Sequence, residues 1–179
     1  MNFVRTVAPT DQPVDLSLLK DHLRISSVDQ DNVLPIYLDA AVAHVETYTG
    51  RPLMRQTWRL TLPGFYDRTW LPYAAPLGAV TGVTYYDTAN ALQTLASSVY
   101  AVPADEEPAS VRLAYAHAWP SVYDREDAVS VTYTVGATAA TDVPAPLRQA
   151  VLLLAGHFYE NREAVLVSAI SKEMEFAVT

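Results

Sequence analysis

Two stretches patterned for helix, near residues 15–50 and 145–163, bracket about eighty residues patterned almost wholly for strand. That interruption constrains the chain more than any other feature. A helical core must be closed by segments far apart in sequence, with a β-rich unit projecting from between them. With 179 residues, half of them apolar, the chain suffices for one compact core carrying a large insertion.

The first helical stretch divides into two. Asp15 is placed to cap a short helix, near 15–25, that puts Leu16, Leu19 and Leu23 on one face. The polar run 26–31 is a turn. A longer helix, near 31–49, follows with a stripe of Leu34, Leu38, Ala41, Val45 and Tyr48. Pro35 is tolerable only in a first turn, which sets the start at Asp31 or Asn32, and Gly50-Arg51-Pro52 is stop chemistry.

The period then becomes two. Trp58, Leu60 and Leu62 alternate with Thr57, Arg59 and Thr61, and Val129, Val131, Tyr133 and Val135 alternate with Ser130, Thr132 and Thr134. Shorter strands are expected at 79–86, 91–95, 99–102 and 111–115, separated by Gly, Pro and Asn punctuation. Short strands with close connections predict an antiparallel sheet, sandwich or small barrel within 55–135. A last helix, near 146–162, is apolar on most sides through Leu147, Ala150, Val151, Leu152, Leu153, Leu154 and Phe158, which predicts a central position. The fold class is therefore α+β. Its divisions are 1–54 (first helical half), 55–142 (β-rich insertion), 143–163 (closing helix) and 164–179 (an extended C-terminal arm patterned by Val167, Ile170, Met174 and Phe176).

Chemistry is harder to find. The formal charge is −8 and no division is net basic, which disfavours binding to nucleic acid through phosphate neutralisation. No cysteine is present, so disulfides and thiol catalysis are excluded. The longest apolar run is too short to span a bilayer, and residues 1–13 lack the apolar core of a signal peptide, so the chain reads as soluble and intracellular when made. The four histidines form no pair at metal-ligand spacing; His157 with Glu160 is at most half of a helix-borne site. The acidic run 105–107 lacks the spacing of a calcium loop, and neither a nucleophile elbow nor a Gly-rich phosphate cradle occurs. No catalytic residue, cofactor or metal site is expected, and an enzyme is not the reading.

Aromatic residues offer more. The eleven tyrosines and three tryptophans are concentrated in the β unit. Tyr66, Trp70, Tyr73, Trp119 and Tyr123 fall in expected loops, where an interaction surface explains them better than core packing. The same residue types would serve a glycan-binding module, which is the alternative reading.

Several segments resemble the head–tail connector (adaptor) family of tailed phages. They are Val14-Asp15-Leu16, Leu23-Arg24-Ile25, Glu46-Thr47-Tyr48-Thr49-Gly50-Arg51-Pro52-Leu53, Pro144-Ala145-Pro146-Leu147-Arg148 and His157-Phe158-Tyr159-Glu160-Asn161-Arg162-Glu163. The strand opening Gln56-Thr57-Trp58-Arg59-Leu60 resembles the long, β-inserted branch found in prophages and gene transfer agents. The resemblance implies a structural virion protein at the head–tail junction, assembled in the host cytoplasm into a homo-oligomeric ring of about a dozen copies. Its expected partners are the portal, neighbouring adaptor subunits and a stopper or tail-terminator protein. DNA would pass through without sequence-specific binding, and no membrane is involved. Stopper and tail-completion proteins of the same neck are neighbouring alternatives. Val167, Ile170, Met174 and Phe176 are then candidates for a portal-docking arm. Glu160, Arg162, Glu163, Tyr66, Trp70, Trp119 and Tyr123 are candidates for subunit contacts.

Overall fold

The computed structural model describes residues 1–73, 75–104 and 106–161. Among these it is an α+β fold of three helices and two antiparallel sheets. Helix α1, Leu16–Leu23, starts where expected. The Asp15 carboxylate accepts the Leu18 N–H at 2.7 Å, a bond that holds its pKa below the usual aspartate value. Helix α2, Leu34–Thr49, begins later than Asp31. Asp31 is taken up by Lys20 of α1 at 2.7 Å, so residues 30–33 form a turn instead and Pro35 occupies the first helical turn. Gly50, at φ 63°, ends the helix in the left-handed conformation.

Leu34, Leu38, Ala41 and Val45 are buried as the stripe predicts, but Tyr48 is exposed. After Gly50 the chain turns back, and Leu53 and Met54 fill that end of the helical core in its place. Helix α3, Ala145–Glu160, packs against both α1 and α2. It is central in that sense, but it is not buried all round. Val151, Leu152, Ala155 and Gly156 are inside, while Leu153 faces out, because two neighbouring helices cover only part of its girth.

The larger sheet has the order β1-β2-β8-β4-β5: Asn2–Val7, Gln56–Leu62, Val129–Val135, Leu77–Tyr86 and Leu92–Thr94. Its central pair sets Leu60 opposite Val131 and Trp58 opposite Tyr133. Period two then sends Leu60, Leu62, Val129, Val131 and Tyr133 inward, and Arg59, Thr61, Ser130 and Thr132 outward. A three-stranded sheet, β3-β7-β6 (Arg68–Trp70, Ser110–Leu113, Tyr100–Ala101), supplies Val111 to the same core, and Leu71, Leu95 and Ala109 close it. Strands β1 and β3 were not expected. All six residues of β1 are exposed, so no buried face betrays it in the sequence; backbone pairing with β2 makes it a strand. Strand β7 stops at Leu113 rather than Tyr115, because Ala116 turns the chain at φ 61° and leaves Tyr115 fully in solvent.

Tyr133 is the largest side chain fully enclosed in this core. Its hydroxyl donates to the Pro72 carbonyl at 2.7 Å, and burial pushes its pKa well up. Tyr133→Phe leaves that carbonyl unpaired and is expected to cost about 1 kcal/mol in urea unfolding. A cost indistinguishable from zero would mean that water reaches Pro72.

Helices and sheets thus enclose two separate hydrophobic cores. They meet where the chain enters and leaves the β block. Met54 and Ala137 form a parallel bridge there, the Ala137 N–H donates to the Leu53 carbonyl at 2.9 Å, and Gly136 stands between them at φ 85°.

Candidate functional site

The exposed aromatics do not make one platform. Tyr66 is half exposed in the loop after β2. Trp70 lies on β3 rather than in a loop; it is also half exposed, with the Arg68 guanidinium 5.1 Å above its ring. Trp119 lies flat on Phe65, centroids 4.6 Å apart and planes within 4°, and so covers the β core. Tyr123 is tied through its N–H to the Tyr86 carbonyl at 3.0 Å and keeps its ring partly in solvent. Among the described residues no stacking contact joins these four rings to one another.

Charged groups around them are mutually neutralised. Glu106 accepts from the Ser110 hydroxyl and lies 3.2 Å from Arg112 and 3.4 Å from Arg68. The Ser110 bond first, and then the two cations, hold its carboxyl below the usual range. Glu107 pairs with Arg51 at 3.5 Å, so part of the acidic run ties the β block to the end of α2; Asp105 lies outside the described residues. Arg125 stacks on Tyr86 at 3.8 Å and pairs with Asp127 at 2.7 Å.

At the end of α3, Glu160 is exposed and the Asn161 amide donates to the His157 carbonyl at 3.0 Å. Arg162, Glu163, Val167, Ile170, Met174 and Phe176 lie outside the described residues. Among the described residues no three His, Asp or Glu side chains converge as metal ligands, and no helix is long and apolar enough to cross a membrane.

Sequence reasoning missed a polar joint between the two cores. Glu46 of α2 accepts the Leu53 N–H at 2.7 Å and the Gln56 amide at 3.1 Å, both on the same oxygen. Gln56, fully buried at the start of β2, in turn accepts from the Arg5 guanidinium of β1 at 3.3 Å. Burial pushes the Glu46 carboxyl above its ordinary value, against the opposing pull of these bonds and of Arg5. A cavity of about 340 Å³ opens beside this chain of bonds, walled by Pro52, Trp58 and Tyr73. Phe3, Trp58 and Tyr73 form a three-ring cluster at its rim, with centroids 5.2–5.8 Å apart. No periodicity within residues 2–7 signals it, because Phe3 and Val4 are both apolar and Arg5 and Thr6 both polar.

Among the described residues the arrangement offers surfaces and a joint. The family model for phage gp6-like head–tail connector proteins matches residues 13–102, half of the chain. The chain belongs to that family. It is a head–tail connector, a structural part and not an enzyme. Solved structures agree along almost its whole length. A chain from the neck of an empty GTA (gene transfer agent) particle, computed with C6 symmetry, superposes with a TM-score of 0.79 at 26% identity, covering 93% of the connector and 88% of that chain. A chain from the virion of a native GTA particle gives 0.78 at 26% identity with the same coverage. One from the neck of a native GTA particle, computed with C12 symmetry, gives 0.76 at 25%, covering 93% and 87%. No curated protein matches the connector.

Proposed function

We propose that this connector forms a closed ring of about a dozen copies between the portal and the tail-side neck proteins, enclosing the passage for DNA. The supporting observation is its likeness, over 93% of its length, to a chain from a neck computed with C12 symmetry. A ring needs head-to-tail contacts that close by rotation, and the two separate cores suit a division of labour. The helices build the ring, while the half-exposed Tyr66, Trp70 and Tyr123 of the β block meet the next layer, a stopper or tail terminator. The −8 charge of each chain, multiplied around a ring, repels phosphate and lets DNA slide.

Imaging of purified particles carrying a labelled connector tests the placement. Density at the portal–tail junction is expected; label confined to the tail tip or the capsid surface would overturn it. Residues 164–179 are assigned here to portal docking, through Val167, Ile170, Met174 and Phe176. The polar residues Glu160, Arg162 and Glu163 are assigned to contacts between subunits. Truncation after Glu163 is expected to leave a folded chain, and to reduce tailed particles from filled heads by at least about tenfold, the loss a single anchoring contact of this size gives. Unchanged yields of tailed particles would remove the arm from the attachment.

A further inference from the structure

The joint between the two cores narrows to a single residue pair. Leu53, Met54 and Ala137 pack with the helical core, whereas Gln56 and Val135 are buried as the first pair of the β2–β8 ladder. Arg55 and Gly136 lie between them, the one exposed and the other at φ 85°. Pairing changes sense here, from a parallel bridge at Met54 and Ala137 to the antiparallel register of Gln56 opposite Val135, so no continuous ladder runs through the joint. A further crossing, residues 8–11, is mostly exposed and leads from β1 to Gln12, whose amide donates to Asp39 of α2 at 2.6 Å. Among the described elements helices pack on helices and strands on strands, and no helix packs on a strand. Two units with their own cores and no broad apolar interface move relative to one another by default.

We propose that Arg55 and Gly136 form a hinge on which the β block turns as a body relative to the three helices. Hinges are a few residues at element ends that absorb a change in φ and ψ. Gly136 brings the wide backbone range of glycine to one strand of this hinge, and Arg55 brings a solvated side chain to the other. The backbone bonds around the joint survive the turn. The Ala137 N–H, bonded to Leu53, lies on the helical side of Gly136, and the Gly136 N–H, bonded to the Pro76 carbonyl at 3.1 Å, lies on the strand side. Two side-chain ties cross the hinge and hold the orientation seen here. One is the Gln56 amide donating to Glu46 of α2 at 3.1 Å, and the other is the pair of Arg51 with Glu107 at 3.5 Å. Both partners of the second are about half exposed, so water and salt screen it and it holds only weakly. In the ring proposed above, the hinge carries Tyr66, Trp70 and Tyr123 to the next layer while the helices keep their places. That use rests on the ring reading; the hinge itself does not.

The full-length chain has no cysteine, so nitroxide labels attach only where cysteines are introduced. Ala40→Cys with Thr94→Cys spans the hinge, and Ala40→Cys with Gln149→Cys stays within the helices; all three positions are exposed. Labelled chain is diluted with unlabelled chain, so that pulsed EPR reads distances within one molecule. The spanning pair is expected to give a wider distance distribution than the helical pair. It should widen again in Arg51→Gln, and likewise in about 1 M salt, where the screening length is about 3 Å. Glu46→Ala, which cuts the other tie, is expected to widen it too, while Glu46→Gln keeps an acceptor for Gln56 and leaves it unchanged. The helical pair should respond to none of these changes. A spanning distribution as narrow as the helical one, in Arg51→Gln and at high salt alike, would overturn the hinge. Equal widening of both pairs would overturn it as well, because the fold would then be loosening rather than turning. Both results come from the isolated chain and are independent of whether a ring is seen in particles.

Discussion

Alanine at position 136 is expected to destabilise the connector by about 3–5 kcal/mol, the range of a severe backbone clash. Gly136 has φ 85°, where an L side chain is strained. Its new Cβ would also stand 2.2 Å from the Met54 carbonyl oxygen and 2.6 Å from the carbonyl carbon. Those atoms are backbone and cannot rotate away. The bridge between Met54 and Ala137 and the bond from Ala137 to Leu53 must open, and with them the base of the β block. Gly50→Ala is the control. That glycine also has positive φ, 63°, but nothing lies within 4 Å of its Cβ position, so only strain of about 1 kcal/mol is added. Equal urea midpoints for the two variants would dismiss the clash.

Glu46 is expected to give opposite results with two substitutions. Glu46→Ala removes the acceptor for both the Leu53 N–H and the Gln56 amide, and two unsatisfied donors at a half-buried joint should cost about 2–3 kcal/mol. Glu46→Gln keeps a carbonyl oxygen for them and removes the charge that burial disfavours, so it should stabilise the fold at neutral pH. The sign follows from linkage. With the folded pKa raised above the ordinary 4.5, the folded chain binds the proton more tightly than the unfolded chain. The contribution of Glu46 to stability therefore falls as pH rises from 4.5 through the raised value, and is constant below 4.5. The advantage of Glu46→Gln should accordingly shrink on acidification. Comparing the two proteins at each pH cancels Asp15, Asp87, Glu106 and Asp127, whose lowered pKa values act in the other direction. An advantage that grew on acidification would mean that hydrogen bonding, and not burial, governs the carboxyl.

What could be read in advance follows one rule. Patterns that repeat within a segment were visible: the α1 cap at Asp15, the stop at Gly50, the α2 stripe, and the alternation that puts Leu60 and Val131 face to face. Features made by distant segments were not. Trp119 reads as a loop aromatic until the fold lays it on Phe65. Tyr48 and Leu153 continue apolar faces, yet lie where the neighbouring elements have already been replaced or have ended. The polar joint draws Arg5, Glu46 and Gln56 from three elements, each of which looks like an ordinary surface residue in its own segment. Strand β1 has no inside face at all, so only its partner strand could reveal it.

The bridge between Met54 and Ala137 also bears on the order in which the chain folds. Helix α3 packs on α2, yet the two are separated by a loop of roughly a hundred residues, whose closure by chance would be slow and entropically costly. Once the strands have paired, the ends of that loop are already side by side, and α3 searches from a tether of a few residues. The β block is thus placed to act as an internal template, and its strands are expected to pair before α3 docks on α2.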